Sequence, residues 1–234
     1  MAEFSCEAVM ARKAILFDPT RCIGCRACQI ACKQWNDLEG EGTTNRGSYE
    51  NPPELSPDTW MKLEWREVER RGKIEWLYTF RACMHCADAA CEEACPAEAI
   101  FHTDEGFVGI DEELCTGCGL CIEVCPFEVP QPGKEKDAVV TKCDGCISRQ
   151  SEEVAPACVK ACPAYALMFD DRDVLVDDGN RRIEALKANG NGDAYLYGEN
   201  ELGGLNVISI LDDSPDVYGL PEAPQGSYKN NFTF

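Results

Sequence analysis

Sixteen of the seventeen cysteines in this chain fall into four tight groups of four, and this grouping constrains the fold more than any other feature. The groups are Cys22, Cys25, Cys28 and Cys32; Cys83, Cys86, Cys91 and Cys95; Cys115, Cys118, Cys121 and Cys125; and Cys143, Cys146, Cys158 and Cys162. Cys6 stands alone, and the odd total argues against complete disulfide pairing. The opening residues also lack the pattern of a secretory signal peptide, which a disulfide scaffold would need. The grouping therefore indicates metal binding.

The spacing within the groups identifies the kind of metal site. In the first and third groups the cysteines are separated by two, two and three residues. This spacing lets three thiolates of one loop reach three irons of a [4Fe-4S] cubane, while the fourth cysteine reaches a neighbouring cluster. The second group widens one gap to four residues and the fourth group widens one to eleven, which lengthens a loop but removes no thiolate. The sequence thus predicts sixteen ligands and four [4Fe-4S] clusters arranged in pairs.

Residues beside the cysteines support this interpretation. Proline follows the last cysteine in three groups, as in bacterial ferredoxins, whereas Lys33 follows Cys32, so a different closing turn is expected there. Glycine precedes the second cysteine in three groups, where its freedom lets backbone amides turn toward cluster sulfurs. His85 takes that place in the second group, which predicts a distinct environment for that cluster.

Complete groups of four thiolates leave no iron with a vacant position, so electron transfer is the expected work of such a protein. A four-cysteine zinc scaffold is the competing interpretation, but zinc does not require the ferredoxin spacing closed by Cys-Pro. A radical enzyme with an open iron is disfavoured because every group is complete. The chain contains neither a phosphate-binding loop nor a dinucleotide fingerprint, and no catalytic residues are predicted.

Charge and hydropathy exclude some partners. The net charge of -20 would repel nucleic acid and anionic membranes. No apolar stretch reaches the roughly 18 residues of a membrane-spanning helix.

Outside the cysteine groups, the sequence predicts an insert and a C-terminal extension. Residues 40–57 are rich in Gly and Pro and read as a loop. Alternating apolar residues over 61–65 and 74–80, with a glycine turn between them, predict a β-hairpin. Residues 174–188 have helical spacing with Asn189-Gly190 as a C-cap, residues 207–211 predict a strand, and residues 221–234 an extended tail.

Several other residues have simple interpretations at this stage. His85 and His102 are expected to pack or form hydrogen bonds near a cluster, and Cys6 to be a structural or free thiol. The four tryptophans are expected in the core or at subunit contacts, and shielding of the clusters from water is an alternative role for their aromatic faces. Lys33, Lys142 and Lys160 are near ligands in sequence, where a positive charge would favour a reduced cluster, although surface positions fit them equally well.

Taken together, these stretches resemble the iron-sulfur (beta) subunits of formate dehydrogenases, within the family of subunits that serve molybdenum or tungsten bis-pterin oxidoreductases. The similar segments are residues 22–36 (CIGCRACQIACKQWN), 51–56 (NPPELS), 75–77 (EWL), 83–86 (CMHC), 156–160 (PACVK) and 218–221 (YGLP). The cysteine motifs alone would fit many ferredoxin-like subunits, whereas the insert and the C-terminal segment favour the formate branch.

The resemblance implies an α+β fold of tandem ferredoxin-like modules, each holding two [4Fe-4S] clusters. Residues 1–34 with 137–170 would form the first module, 35–82 the β-hairpin insert, 83–136 the second module, and 171–234 a C-terminal helix and strand extension with a tail. The spacing leaves the pairing of motifs open. The resemblance implies a nested scheme with ligand sets Cys22, Cys25, Cys28 and Cys162; Cys143, Cys146, Cys158 and Cys32; Cys83, Cys86, Cys91 and Cys125; and Cys115, Cys118, Cys121 and Cys95.

The resemblance further implies a non-catalytic subunit that relays electrons between a molybdenum or tungsten bis-pterin catalytic (alpha) subunit and an unidentified acceptor, during interconversion of formate and carbon dioxide. The alternatives are the same relay serving an aldehyde or acyl-compound oxidoreductase, and a free-standing polyferredoxin. Membrane-bound relatives carry a C-terminal membrane helix after the Gly-Leu-Pro segment, so a soluble type is expected here. Its location would be cytoplasmic, or periplasmic if it is co-exported with a partner that carries a twin-arginine signal.

Overall fold

The computed structural model describes residues 11–70, 72–135 and 138–226, so Cys6 and the last eight residues of the predicted tail lie outside the described part. The strands are β1 (Lys13–Phe17), β2 (Lys62–Arg70), β3 (Lys73–Arg81), β4 (Ile100–His102), β5 (Val108–Ile110), β6 (Leu167–Asp171), β7 (Tyr195–Tyr197) and β8 (Val207–Leu211). The helices are α1 (Ala27–Trp35), α2 (Ala90–Glu93), α3 (Leu120–Val124), α4 (Ile147–Gln150), α5 (Ala157–Lys160) and α6 (Arg172–Ala188). The mixture of helices and strands is consistent with the predicted α+β class.

The largest sheet has the strand order β6-β1-β8-β7. β1 pairs antiparallel with β6 and parallel with β8, so one short strand near the N-terminus joins segments from far along the chain. All five residues of β8 are buried, as expected of a central strand covered on both faces. The predicted strand at residues 207–211 is confirmed.

The two faces of this sheet have different partners. On one face, Leu175 and Ile183 of α6 pack against Leu16 and Ile208. On the other face, Ile15 and neighbouring strand residues join the core beneath the cysteine loops. The sheet thus separates the long C-terminal helix from the candidate metal sites.

The predicted C-terminal helix is confirmed, with Asn189 as its C-cap. Gly179, which weakens a helix by propensity, lies where a Cβ would come within 2.6 Å of the Leu196 side chain. Close approach of β7 therefore explains the glycine.

Replacing Leu175 by Ala should lower the free energy of unfolding by about 2–5 kcal/mol, because a buried side chain is lost and a cavity is left between α6 and the sheet. Leu175 is 3% exposed, whereas its neighbour Val174 is 46% exposed. Anaerobic denaturant unfolding should show a change within about 0.5 kcal/mol for Val174→Ala. Equal losses for the two variants would contradict the packing described here.

β2 and β3 form an antiparallel hairpin in which Leu63 lies opposite Phe80, and Trp65 lies opposite Tyr78. These four residues line the face toward the cysteine loops, in agreement with their period of two. On the other face Lys62 is fully buried, because the loop of residues 40–57 covers it. The Lys62 ammonium donates to Glu50 and to the Pro53 carbonyl. The alternation of the sequence gives no sign of this buried charge.

The short elements lie around the cysteine loops in two similar arrangements. α1 packs against α5, beside the β1–β6 pair. α2 packs against α3, beside the β4–β5 pair. No helix within residues 11–70, 72–135 and 138–226 is long and apolar enough to cross a membrane.

Candidate metal centres

The sixteen cysteines of the described segments are all free thiols. Shared cavities and the electrostatic effects of the thiols on one another group them into four candidate sets. We name each set after one member. The Cys22 site is Cys22, Cys25, Cys28 and Cys162; the Cys143 site is Cys32, Cys143, Cys146 and Cys158; the Cys83 site is Cys83, Cys86, Cys91 and Cys125; and the Cys115 site is Cys95, Cys115, Cys118 and Cys121.

Two of the sets line cavities directly. The four thiols of the Cys22 site share one cavity with the side chains of Phe17, Leu63 and Leu167. The four thiols of the Cys115 site share another with Ile100 and Val140. In each case the fourth cysteine comes from a different motif than the first three. The packing of α1 against α5 and of α2 against α3 makes this exchange possible.

The other two sets are identified by the effects that their thiols have on one another's pKa. Burial raises the pKa of Cys158 well above its ordinary value, and negative charge on Cys146 and Cys32 raises it further. Burial likewise raises the pKa of Cys91 to about 12, and negative charge on Cys83 and on Cys125 of the third motif adds to the shift. The structure therefore brings motif one together with motif four, and motif two with motif three.

The raised pKa values test whether the sites suit iron-sulfur clusters. Burial raises the pKa of Cys28 and of Cys32 to about 12, so thiolates would be disfavoured there unless cations balanced them. Cluster irons supply that positive charge, and metal ligation requires the deprotonated form. At the Cys22 and Cys115 sites four thiols line one cavity, which suits a cubane that takes one thiolate at each of its four irons. Among the described residues, no group of Cys, His, Asp or Glu is arranged to hold a single metal ion.

The residue before the second cysteine has a left-handed backbone in all four motifs. The φ values are 67° at Gly24, 48° at His85, 68° at Gly117 and 74° at Gly145. This conformation turns the amides of Gly24 and Gly145 toward Cys22 and Cys143, with N to Sγ distances of 3.5 and 3.4 Å. The predicted role of glycine at this position is present in the geometry.

The closing turn depends on whether proline follows the last cysteine. After Cys95 and Cys162, the backbone amide four residues on donates to the Sγ atom, at 3.3 Å in both cases. Cys32 instead lies inside α1, and the side-chain amide of Asn36 lies 3.6 Å from its Sγ. The predicted difference in the first motif is therefore found. Sequence reasoning missed Asn36, for which its position four residues after Cys32 was the available signal.

The exposure of the thiols and the proximity of the sites to one another indicate how the four sites follow one another in space. Cys25 and Cys118 are the exposed thiols among the sixteen, and they belong to the Cys22 and Cys115 sites. Negative charge on Cys121 of the Cys115 site raises the pKa of Cys91 in the Cys83 site. Negative charge on Cys28 of the Cys22 site raises the pKa of Cys158 in the Cys143 site. The two sites with an exposed thiol therefore each lie beside one of the other two, which we call the inner sites. Charge on Cys83 also raises the pKa of Cys143. Together with the contact between His85 and Cys143, these proximities support the order Cys115, Cys83, Cys143, Cys22, on which the proposal below depends.

Both histidines form hydrogen bonds, in agreement with the sequence interpretation. His102 Nε2 lies 2.9 Å from the Cys86 carbonyl, and its Nδ1 lies 2.7 Å from Glu92. His85 is buried, and burial lowers its pKa well below its usual range.

The three lysines named from the sequence differ in placement. Lys142 is buried and donates to the carbonyls of Val108 and Cys143. Lys160 is exposed, and Lys33 donates to carbonyls of the insert loop. A buried positive charge is therefore present beside the Cys143 site.

Aromatic residues of the hairpin cover the Cys22 site. A Cβ at Gly24 would lie 2.7 Å from the Trp65 ring, so the indole packs directly on the cysteine loop. Tyr78 meets Trp65 edge-on at 4.9 Å between ring centroids, and the Arg26 guanidinium lies 5.6 Å from the indole centroid. These rings shield part of the site from water.

Comparison with known proteins agrees with this geometry. Two models of a 4Fe-4S dicluster domain match residues 74–172 and 21–99. The chain is 43% identical over 216 residues to the formate dehydrogenase-O iron-sulfur subunit of Escherichia coli, covering 91% of this chain and 72% of that one. It is 39% identical to the formate dehydrogenase iron-sulfur subunit of Haemophilus influenzae, covering 91% and 69%. It is 32% identical to formate dehydrogenase subunit beta of Megalodesulfovibrio gigas, covering 88% and 96%.

Proposed function

This chain belongs to the family of formate dehydrogenase iron-sulfur subunits, whose [4Fe-4S] domains carry electrons, and from that premise we propose that it holds four such clusters in one relay. The observation that carries the proposal is that four thiols line one cavity at the Cys22 site and another four at the Cys115 site, with the remaining eight thiols close to one another in two further sets. Each bound cluster supplies one-electron redox chemistry. The chain itself positions the thiolates, offers backbone amides to their sulfurs and limits their contact with water.

We propose that the ligand sets are those of the four named sites. The segment of one module then lies between the two segments of the other along the chain. Residues 1–34 and 137–170 would form the module of the Cys22 and Cys143 sites, and residues 83–136 that of the Cys83 and Cys115 sites. The described residues of the insert at 35–82 then cover the first module, and the C-terminal extension, of which residues 171–226 are described, lies beside it. The shared cavities at two sites support this division.

The electron route runs along the order of the sites. Electrons enter and leave at the Cys22 and Cys115 sites, which are the two with an exposed thiol, and pass between the two inner sites, whose thiols are buried or partly buried. Oxidation of formate to carbon dioxide releases two electrons and one proton, so the relay would work twice for each formate.

The partner that performs this chemistry is proposed to be a molybdenum or tungsten bis-pterin subunit, with a separate carrier as the final acceptor. The names of the relatives support a formate-converting partner. A relay for another molybdenum or tungsten enzyme, or a free-standing polyferredoxin, would use the same sites. Cytoplasmic or periplasmic location stays a prediction.

Anaerobic purification of the native protein tests this proposal. We expect a complex with a large pterin-containing subunit, formate-dependent reduction of a viologen dye, and about sixteen irons on this polypeptide. About four zinc atoms in their place would overturn the cluster assignment. A complex active on an aldehyde but not on formate would overturn the partner, and migration of this chain alone would favour the polyferredoxin.

A further inference from the structure

His85 stands where the other three motifs have glycine, and it keeps the left-handed backbone that glycine favours, with φ of 48°. Side chains are uncommon in this region, and residues held there collect at functional sites. His85 is also 1% exposed, so its ring lies in the interior although its backbone conformation is unfavourable for a residue with a side chain. This combination calls for a role that glycine cannot fill.

The hydrogen bonds of the ring define which nitrogen carries the proton. The Val108 backbone N–H donates to His85 Nδ1 at 2.9 Å. A ring nitrogen that accepts a hydrogen bond holds a lone pair, so in the neutral ring the proton is on Nε2. His85 Nε2 lies 3.8 Å from Cys143 Sγ, within reach of an N–H to sulfur hydrogen bond. The ring is therefore oriented as a donor to this thiolate.

The surrounding side chains hold the ring in this orientation. Phe107 meets the imidazole at 61° with ring centroids 4.8 Å apart, and the same phenyl ring packs against Gly145 in the fourth motif. The buried Lys142 ammonium donates to the Val108 and Cys143 carbonyls. The imidazole thus lies in a closed network that joins β5 to the Cys143 loop.

The contact crosses from one module to the other. In the chain, His85 lies between Cys83 and Cys86 of the Cys83 site, whereas its ring reaches Cys143 of the neighbouring site. Reduction adds negative charge to a cluster and its thiolates, and a hydrogen bond donated to a ligand sulfur stabilises that state. Unlike glycine, a histidine at this position can donate a hydrogen bond to the Cys143 sulfur and can reach from the Cys83 site to the Cys143 site.

We propose that His85 donates its Nε2 proton to the Cys143 thiolate, that this contact raises the reduction potential at the Cys143 site, and that it bridges the two inner sites of the relay. The proposal rests on the proposed function in requiring clusters at both sites. It makes His85 a positioning and tuning residue, not a ligand.

Redox titration of the purified complex, followed by electron paramagnetic resonance, tests the donor. His85→Gly and His85→Asn remove a donor that reaches Cys143, whereas His85→Gln places an amide N–H near the position of Nε2. For Gly and Asn we expect one midpoint potential to become more negative, with about a tenfold lower equilibrium constant for reduction, equivalent to about 59 mV. Gln should recover part of the shift. His102→Gln, at the chain's other histidine, should leave that midpoint unchanged.

A second measurement begins with the wild-type complex, so its first result does not depend on the variants folding. With ¹⁵N-histidine incorporated, pulsed magnetic resonance of the reduced wild-type complex should detect nitrogen coupled to one of these clusters. That coupling should vanish in His85→Gln and persist in His102→Gln. Full iron content without the coupling, or unchanged midpoints in an iron-replete His85→Gly complex, would overturn this inference alone. Iron far below about sixteen atoms in the wild type would instead count against the proposed function.

Discussion

A complex in which Cys143 and Cys146 are both replaced by Ala should lose about four of about sixteen irons and stop delivering electrons to its natural acceptor. Two thiolates, Cys32 and Cys158, would remain at that site, and they cannot hold a four-iron cubane. Cys146 and Cys158 are both buried, so water has little access to replace the missing ligands. Because the Cys143 site is an inner one, its loss interrupts the relay between the two exposed ends.

Iron analysis, together with two activity assays, checks this expectation. Formate oxidation by a dye that accepts electrons from the catalytic partner should persist, whereas reduction of the natural acceptor should fall to background. Cys6→Ala is the matched control, because Cys6 is the one cysteine outside the four groups. Its iron content should match the wild type. Full iron in the double variant would show that the Cys143 site is not a cluster site.

A Gly145→Ala variant should be destabilised by about 2–5 kcal/mol, combining the left-handed backbone with overpacking of the core. Gly145 has a φ of 74°, and a Cβ on it would lie 2.2 Å from Phe107. The phenyl ring is fully buried. Because the Gly145 amide also points at Cys143, the strain would act on the ligand loop itself.

The temperature at which the cluster absorbance is lost measures this effect, with an expected decrease of about 4–20 °C for a domain of this size. Gly47→Ala separates the two causes, since Gly47 has a φ of 81° but nothing within 4 Å of the added Cβ. It should cost only the backbone contribution, about 1–2 kcal/mol. If Gly145→Ala were no less stable than Gly47→Ala, the packing against Phe107 would be unimportant.

Much of the local structure was predictable because its causes are local. Alternation over residues 61–65 and 74–80 was enough to predict the hairpin, and the helical period after residue 174 was enough to predict α6. Gly24 and Gly145 could be assigned a role because their spacing from a cysteine requires one backbone conformation. In these cases neighbours in sequence are also the residues that interact.

Other features were beyond local reasoning. Lys62 lies on what alternation predicts to be a solvent face, and it is buried because the loop of residues 40–57 folds across the hairpin. The His85 ring contacts Cys143 across a module boundary, and no sequence pattern indicates this contact. Asn36 contacts the Cys32 sulfur across one helical turn, so its only signal in the sequence is the spacing of four residues.

The number of thiols, their grouping and the positions where the backbone turns can all be read from the amino-acid sequence, since these properties depend on spacing over a few residues. The spacing does not show which fourth cysteine joins each set of three, although the family resemblance implied the nested pairing. The folded chain brings Cys162 into the cavity of Cys22 and directs the His85 ring toward Cys143. These contacts could not be predicted from spacing because they join residues far apart in the chain, at distances that the packing of the helices and the sheet sets.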